Sequence, residues 1–134
     1  MAKPNKDLSE WIDVLDVSEL MSITLGELIE TSAKKFPDTE ALVYSNQPEV
    51  EDIRWTYKDL DEMSSNLAKA FIDAGFNPGD TVGVWGPNHP EWILTEYALA
   101  KAGLRIVTLN PLYKEKELIF ALNTVADVAI VNAD

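Results

Sequence analysis

Apolar residues recur every three or four positions in three stretches of the chain, and this spacing predicts amphipathic helices. The first helix follows Thr24, which forms a capping-box pair with Glu27, and stops at Pro37. The second follows a similar pair, Thr56 and Asp59. The apolar faces that we expect are Leu25, Leu28, Ile29 and Phe36 in the first helix, Leu60, Met63, Leu67, Phe71 and Ala74 in the second, and Leu118, Leu122 and Val125 in the third, at residues 114–125.

A further stretch, residues 90–102, is apolar nearly all round, so we expect a helix that is packed on several sides. Asn88 precedes this helix and is its expected N-terminal cap. This helix and the second one end in similar sequences, Ala102-Gly103-Leu104 and Ala74-Gly75-Phe76. A glycine followed by an apolar residue is typical of a Schellman-type helix end.

Short apolar runs rich in β-branched residues lie between the helices and predict strands. Residues 41–45 and 53–57 are separated by a polar segment and suit an antiparallel pair with a long loop. The later strands alternate with helices through short connections, which favours right-handed crossovers and a parallel sheet. These later strands are residues 80–86, 104–109 and 127–132.

The whole pattern predicts an α/β fold: a partial three-layer αβα subdomain with a mainly parallel sheet, preceded by a helix and a short antiparallel strand pair. We assign residues 1–23 to an acidic N-terminal arm and residues 24–134 to the α/β unit. A parallel strand needs helices on both faces, and Asp134 directly follows such a strand. We therefore expect the chain to be the first part of a larger protein.

The 134-residue chain carries a net charge of −12, and its first 62 residues hold 15 acids against 6 bases. This balance argues against nucleic acid and anionic membrane surfaces as partners. The sequence has no cysteine, which excludes disulfides, thiolate catalysis and thiolate metal sites. The N-terminus lacks the apolar segment typical of a secretory signal, so we expect a cytoplasmic protein.

The residue types that commonly carry catalysis are not grouped in this sequence. The six glycines form neither a Walker-type loop nor a dinucleotide-binding loop, and we expect turn or cap roles for most of them. His89 is the only histidine, so no metal site is predicted, and we expect a solvated position at the entry of a helix. The acids at positions 59, 61, 62, 115 and 117 are expected on solvated helix faces.

Three segments, read together, resemble the N-terminal part of AMP-forming acyl-CoA synthetases, the adenylate-forming family that includes luciferase and the adenylation domains of peptide synthetases. They are TLGELIETSAKKFPDTEALVY, WTYKDLDEMSSNLAKAFIDAGFNPGDTVGVWGPNHPEW and ALAKAGLRIVTLNPLYKEKEL. The resemblance extends from about Thr24 to Asn132. Lys114 departs from it, since members often carry a helix-capping threonine or serine there.

The resemblance implies an enzyme that forms an acyl-adenylate from a carboxylic acid and Mg-ATP and then transfers the acyl group to coenzyme A. A fatty acid is the expected substrate, because LNPLY is similar to members that act on medium and long chains. The family's phosphate loop, its aromatic–Thr–Glu segment, its ribose-binding aspartate and the lysine of its C-terminal domain do not occur here. We therefore expect residues 24–134 to be the first α/β part of the enzyme's large N-terminal domain, inactive alone and without a bound cofactor.

ATP, Mg²⁺ and coenzyme A would serve the full-length enzyme, and the resemblance also allows that enzyme a peripheral association with membranes. In similar enzymes the loop after the strand at residues 104–109 lies near the path of coenzyme A, which makes Asn110, Pro111, Leu112 and Tyr113 candidates for contact. Asn110 would supply an amide, and Tyr113 would lay its ring against pantetheine. The alternative is that Asn110 and Pro111 only end the strand, with Tyr113 as a hydrophobic staple for the next helix.

Two other functions stay open at the level of sequence. A non-catalytic interaction or scaffold module would use residues 1–23 and an open sheet edge to hold a partner. A flavodoxin-like or nucleotide-binding protein is disfavoured, because Pro87 and Pro90 remove two N–H donors near the most plausible ligand loop. A reading frame that continues past Asp134 into a phosphate loop would favour the ligase over the module. Apolar residues in the arm and a bare sheet face also predict self-association.

Overall fold

The computed structural model describes residues 21–45, 52–124 and 128–132, the last of these as backbone. The predicted arm lies outside the described residues up to position 20, as do Val125 and the middle of the loop between the first two strands. In chain order the helices and strands are α1 (Leu25–Lys35), β1 (Glu40–Tyr44), β2 (Ile53–Thr56), α2 (Tyr57–Asp73), β3 (Thr81–Trp85), α3 (Pro90–Ala102), β4 (Arg105–Leu109), α4 (Glu115–Thr124) and β5 (Val128–Asn132).

The strands form two separate sheets, and both pairings follow the prediction from sequence. β1 and β2 pair antiparallel, with an irregularity between Glu40 and Leu42. The second sheet is parallel throughout the described residues and has the order β4-β3-β5. Because β3 is the central strand, its residues are the most deeply covered, and Val82 and Val84 have no exposed surface. The predicted α/β class, with a mainly parallel sheet after a helix and an antiparallel pair, is confirmed.

The helix ends follow the predicted chemistry at three places. Thr24 caps α1 in a full capping box with Glu27, and Thr56 does the same for α2 with Asp59. At the end of α2 the N–H of Phe76 donates to the carbonyl of Phe71 at 3.2 Å, and their rings meet edge to face at 5.6 Å. The predicted closing pattern around Gly75 is therefore confirmed.

The predicted cap of α3 is wrong, because the N-cap is His89 rather than Asn88, and its side chain makes no capping hydrogen bond. Pro90 explains the difference. Proline at the first helical position has its φ preset for a helix, and its missing N–H is one that the start of a helix leaves without a partner in any case. It also disfavours helical geometry in the residue before it, and His89 is extended, with φ −130° and ψ 157°. The helix thus begins without the side-chain acceptor that the sequence predicted.

The main core lies between the helices α2 and α3 and one face of the parallel sheet. Its buried members are Ala68, Phe71, Val82, Val84, Ala98, Leu99, Ala102 and Leu104, with Leu67, Phe76, Trp92 and Ile106 packed around them. α3 contacts α1, α2 and β4, which confirms the prediction that this helix is packed on several sides. Burial of these side chains is the principal source of stability for the described part of the chain.

Two apolar positions of α1 are placed wrongly by the sequence pattern. Leu25 and Phe36 are about half exposed, whereas the buried face of the helix consists of Gly26, Ile29 and Ala33. A β-carbon at Gly26 would lie 3.2 Å from Cγ of Lys101, so the helix approaches α3 through its glycine. With Gly26 facing α3, Leu25 faces solvent. The hydrophobic pattern of the sequence does not predict this orientation of the helix.

The helix α4 lies on the other face of β4 from the core. Ile106 packs against the core, while its neighbour Val107 and also Leu109 line a groove that α4 closes on its far side. No side chain of α4 is buried, and the predicted inward residue Leu118 is only half-buried. Phe120, which the predicted face omitted, is 74% exposed. The α4 helix is therefore docked far more loosely than the other three.

Candidate coenzyme A-proximal loop

The carboxyl ends of the three parallel strands meet at one edge of the sheet. The backbone of Trp85 at the end of β3 is in register with Leu109 of β4 and with Asn132 of β5. Open α/β sheets bind their ligands at this edge. The loop of interest, Asn110 to Tyr113, leaves the sheet here and leads into α4.

Asn110 has a local structural role in this loop. Its side-chain oxygen accepts a hydrogen bond from the N–H of Leu112 at 2.9 Å, and its carbonyl accepts one from the N–H of Tyr113 at 3.0 Å. The same carbonyl accepts a hydrogen bond from the indole N–H of Trp85 at 3.1 Å. The loop is thus a turn that is fastened to the central strand, which the sequence did not indicate because these residues lie 25 positions apart.

The other residues of the loop are presented to solvent. Leu112 is 83% exposed and Tyr113 is 36% exposed, and Pro111 is exposed as well. The ring of Tyr113 lines the groove between β4 and α4, which has a volume of about 580 Å³. The ring of Tyr113 therefore lies at an apolar groove, whereas the side-chain oxygen of Asn110 is already hydrogen-bonded within the turn.

The entry of α4 compensates for the missing capping hydroxyl at Lys114. The N–H of Lys114 donates to the carboxylate of Glu117 at 3.0 Å, which is half of a capping box. Lysine has no acceptor, so the reciprocal bond cannot form. Glu117 is exposed as predicted, and it stabilises the start of the helix rather than taking part in acid–base chemistry.

His89 lies at the entry of α3 as predicted, but its side chain is only partly solvated. Its side chain retains 32% of its exposure and lies against the ring of Tyr44, with 5.2 Å between the ring centroids. Its Nδ1 is 3.6 Å from the carboxylate of Glu91. Tyr44, His89 and Trp92 line a second groove of about 310 Å³ between β1 and α3. The antiparallel pair covers the helix start, a contact that follows only from the tertiary fold.

A polar cluster between α2 and α3 contains Lys101, the one cation of the described residues whose side chain is almost fully buried. The side chain of Lys101 is 8% exposed, and its ammonium donates three hydrogen bonds: to the carboxylate of Asp61 at 2.6 Å, to the Asp61 carbonyl at 2.8 Å and to the hydroxyl of Ser65 at 2.8 Å. Asp61 is 26% exposed, so its predicted solvated position is wrong. All three donors of the ammonium are satisfied, which makes the cluster a bond between α2 and α3.

The titratable groups with perturbed pKa values are not gathered at the loop. Hydrogen bonds from Thr24 lower the pKa of Glu27, and hydrogen bonds from Thr56 lower the pKa of Asp59. Burial raises the pKa of Tyr97. Within residues 21–45 and 52–124, no three His, Asp or Glu side chains converge in a way that could hold a metal ion. The groups with perturbed pKa values therefore lie away from the exposed loop at the sheet edge.

A family model for AMP-binding enzymes matches residues 29–134 of the sequence. The match covers most of the chain, including both grooves and the whole parallel sheet. The chain belongs to the AMP-binding enzyme family. The resemblance seen in the sequence is thereby confirmed.

Curated relatives of this AMP-binding chain are acyl-CoA ligases. The mitochondrial medium-chain acyl-CoA ligase of Mus musculus is 38% identical over 114 residues, which are 85% of this chain and 18% of that ligase. The corresponding ligase of Danio rerio is 35% identical over 124 residues, which are 92% of this chain and 20% of that ligase. The chain thus spans about a fifth of the length of these relatives.

Solved structures have a similar fold over most of this chain. A fatty acyl CoA synthetase of Mycobacterium tuberculosis is similar with a TM-score of 0.73 and 25% identity, covering 81% of this chain and 21% of that one. The N-terminal subdomain of NpsA from Klebsiella oxytoca gives a TM-score of 0.73 at 23% identity, covering 83% and 28%. The second likeness is one of fold alone. No helix of the described residues is long and apolar enough to cross a membrane.

Proposed function

We propose that this chain provides the first α/β part of an ATP-dependent acid–CoA ligase, and that it is inactive by itself. The observation that carries the proposal is the family match over residues 29–134 together with relatives of which the chain spans about a fifth. The whole enzyme would form an acyl-adenylate and then a thioester with coenzyme A. The sequence contains no phosphate-binding loop, so the contribution of this part is a folded sheet edge and not catalysis.

We propose a fatty acid as the acyl substrate. The relatives in Mus musculus and Danio rerio are named as medium-chain acyl-CoA ligases, which supports this substrate class. The LNPLY segment at the end of β4 is the part of this chain that led to the same expectation from sequence.

The loop Asn110–Tyr113 is the proposed contribution of this chain to the coenzyme A path. Tyr113 fits that role, because its ring is 36% exposed beside an apolar groove and can pack against the pantetheine arm. Asn110 fits less well as an amide donor–acceptor pair, since its side-chain oxygen already accepts from Leu112. We therefore assign the contact with coenzyme A to Tyr113 and the shape of the turn to Asn110.

A chimera tests the ligase proposal and the loop together. This chain replaces the matching 114 residues of the Mus musculus ligase, and acyl-CoA formation from a medium-chain fatty acid is measured. We expect an active chimera, and in it Tyr113→Ala should raise the KM for coenzyme A by about tenfold with the KM for ATP unchanged. Tyr57→Ala, a tyrosine outside the loop, is the matched control. A folded chimera without activity would contradict the ligase proposal, while an unchanged KM for coenzyme A would contradict only the contact.

The cofactors of the proposed enzyme are ATP, Mg²⁺ and coenzyme A, and we propose that this part alone binds none of them. Isothermal titration of the purified 134-residue chain with ATP, AMP and coenzyme A in the presence of Mg²⁺ tests this. We expect no heat of binding for any of the three. Tight binding of ATP would mean that residues of this chain form a nucleotide site, and the proposal of an inactive part would then be wrong.

Two further expectations belong to the same proposal. We propose a cytoplasmic location, and fractionation of cells that express the tagged chain would test it. We also expect the isolated chain to self-associate, because apolar side chains such as Leu112 and Phe120 are exposed. A non-catalytic interaction module would use that same surface, and a stable complex with another protein in place of ligase activity would favour it.

A further inference from the structure

The turn at Asn110 is held by hydrogen bonds from two directions. Within the loop, the carbonyl of Asn110 accepts from the N–H of Tyr113, and its side-chain oxygen accepts from the N–H of Leu112. From the sheet, the indole N–H of Trp85 donates to the same carbonyl at 3.1 Å, an ordinary length for such a bond. The first two bonds shape the turn, whereas the third fixes where the turn lies relative to the sheet.

Trp85 joins the loop to the most deeply buried strand of the described sheet. It is the last residue of β3, the central strand, and is in register with Leu109 of β4. Val82 and Val84 of the same strand have no exposed surface. The side chain of Trp85 is itself partly buried, and a tryptophan N–H in such a place usually finds an acceptor. The loop is therefore anchored to a well-packed part of the fold.

The helix on the other side of the loop gives it less support. α4 buries no side chain, and its first turn is held by the bond from the N–H of Lys114 to Glu117. The helix stands over the groove of about 580 Å³ that the ring of Tyr113 lines. The position of Tyr113 at the sheet edge therefore depends more on the end of β4 and on the hydrogen bond from Trp85 than on α4.

Tryptophan has the chemistry that this hold requires. Its side chain carries one N–H donor on a large rigid ring system, while phenylalanine offers a ring without a donor. A loop that is already in its bound shape loses less conformational freedom when a ligand binds to it. The bond from Trp85 should therefore strengthen binding at the loop without any contact between Trp85 and the ligand.

We infer that Trp85 is a positioning residue for coenzyme A, because its indole N–H holds the loop Asn110–Tyr113 in the turn that places the Tyr113 ring beside the groove. This inference rests on the proposed contact of Tyr113 with coenzyme A. Trp85 acts through Tyr113, so its effect on coenzyme A requires the tyrosine ring. The hold on the loop itself exists without any ligand and is measured separately.

The hold on the loop is tested in the 134-residue chain by NMR of the exchange of backbone amides with water. We expect the amides of Leu112 and Tyr113 to exchange at least about threefold faster in Trp85→Phe than in the wild type. Trp85→Leu, a second variant without the donor, should behave in the same way. Trp55→Phe is the matched control, since Trp55 is also partly buried but belongs to β2 of the other sheet. Unchanged rates in both Trp85 variants would overturn the inference.

The consequence for coenzyme A is tested in the chimera with the Mus musculus ligase. Trp85→Phe should raise the KM for coenzyme A by about threefold to tenfold, the range that one neutral hydrogen bond supplies, with kcat and the KM for ATP unchanged. In a chimera that already carries Tyr113→Ala, the same substitution should change the KM for coenzyme A by less than about twofold. Trp55→Phe should leave all three constants unchanged.

The outcomes separate this inference from the proposed function. If Tyr113→Ala raises the KM for coenzyme A and Trp85→Phe does not, the inference is overturned and the proposed contact stands. Equal effects of Trp85→Phe with and without the Tyr113 ring would show that Trp85 does not act through Tyr113, which also overturns it. A KM that Tyr113→Ala leaves unchanged would contradict the proposed contact and the role in coenzyme A binding together, while the exchange rates would still show whether Trp85 holds the loop.

Discussion

At the scale of single residues, Lys101 is a largely buried cation that contacts residues of two other helices. Its ammonium is covered and bonded to Asp61 and Ser65, and its stem packs beside Gly26 of α1. A covered ion pair is expensive to break, because removing one partner leaves the other charge without compensation. Lys101 therefore links three helices that the chain places far apart in sequence.

Replacing this lysine is expected to cost more than replacing any exposed one. Lys101→Met should lower the free energy of unfolding by about 2–3 kcal/mol, below the full range for buried pairs because Asp61 keeps 26% of its exposure. Lys58→Met, in a pair with Glu62 that is 4.0 Å apart and well exposed, should change it by less than about 0.5 kcal/mol. Urea unfolding measures both, and the double variant Lys101→Met/Asp61→Asn should recover part of the loss. Equal effects of the two lysine variants would contradict the structural role of Lys101.

The caps give a second prediction at this scale, which concerns pH. Hydrogen bonds from the side chain and N–H of Thr56 lower the pKa of Asp59 in the folded state. A lowered pKa means that this contribution to stability is present above the unfolded pKa and is lost as the pH falls through the folded pKa. Thr56→Ala should therefore cost about 1 kcal/mol near pH 6 and less near pH 2.5. Urea midpoints of wild type and variant at both values give the comparison, and a cost that grows on acidification would contradict the assignment.

At the scale of elements, the helices α2 and α3 are each followed by a glycine in a left-handed conformation. Gly75 has φ 98° and Gly103 has φ 70°, and each is followed by an apolar residue whose N–H donates back into the helix. L-residues with a β-carbon are strained in this region. These two ends set the directions in which the chain enters β3 and β4, so they determine how the helices lie on the sheet.

Substitution of these glycines tests the strain directly. Gly75→Ala and Gly103→Ala should each lower the free energy of unfolding by about 1–2 kcal/mol. A β-carbon at Gly103 would be 3.4 Å from that of Pro78, an ordinary contact, and one at Gly75 would meet nothing within 4 Å, so the two costs should be similar. Gly103→Asn is the control, because asparagine tolerates this conformation better than alanine. Unchanged urea midpoints for the alanine variants would show that the left-handed ends are not strained.

At the scale of the whole molecule, the described chain has a firmly packed half and a loosely packed one. α2, α3 and β3 share a continuous buried core, whereas α4 buries no side chain and stands over an open groove. Local stability follows the number of buried apolar contacts, so the two halves should differ in how readily they open. The loose half is also the one that carries the loop at Asn110 and the groove between β4 and α4.

Hydrogen exchange of the backbone amides should report this division. We expect the amides of α2 and α3 to exchange slowest and those of α4 to exchange at least about a hundredfold faster in a dilute sample. Equal protection of α4 and α3 in the dilute sample would contradict the loose packing.

The sequence predicted the elements well because their signals are local. Each capping pair, at Thr24 and at Thr56, and each glycine-containing helix end is encoded within four or five neighbouring residues. The apolar runs that predict the strands are likewise contiguous in the sequence. It was less accurate about helix faces, as Leu25 and Phe120 show, because a face is decided by what packs against it. The candidate loop was located from sequence, yet its fastening to Trp85 and the place of Tyr113 in a groove were not.

The sequence by itself determined the family, the α/β order of helices and strands, and the absence of a phosphate-binding loop. Each of these depends on residues that are close together along the chain. Only the tertiary structure decided that Lys101 pairs with Asp61 across 40 positions, that His89 lies against Tyr44, and that α4 leaves an open apolar groove. Those features depend on which surfaces meet and how closely. Glycine at position 26 illustrates the physical reason: packing distance between helices is fixed by shape, and hydrophobic periodicity carries no information about shape.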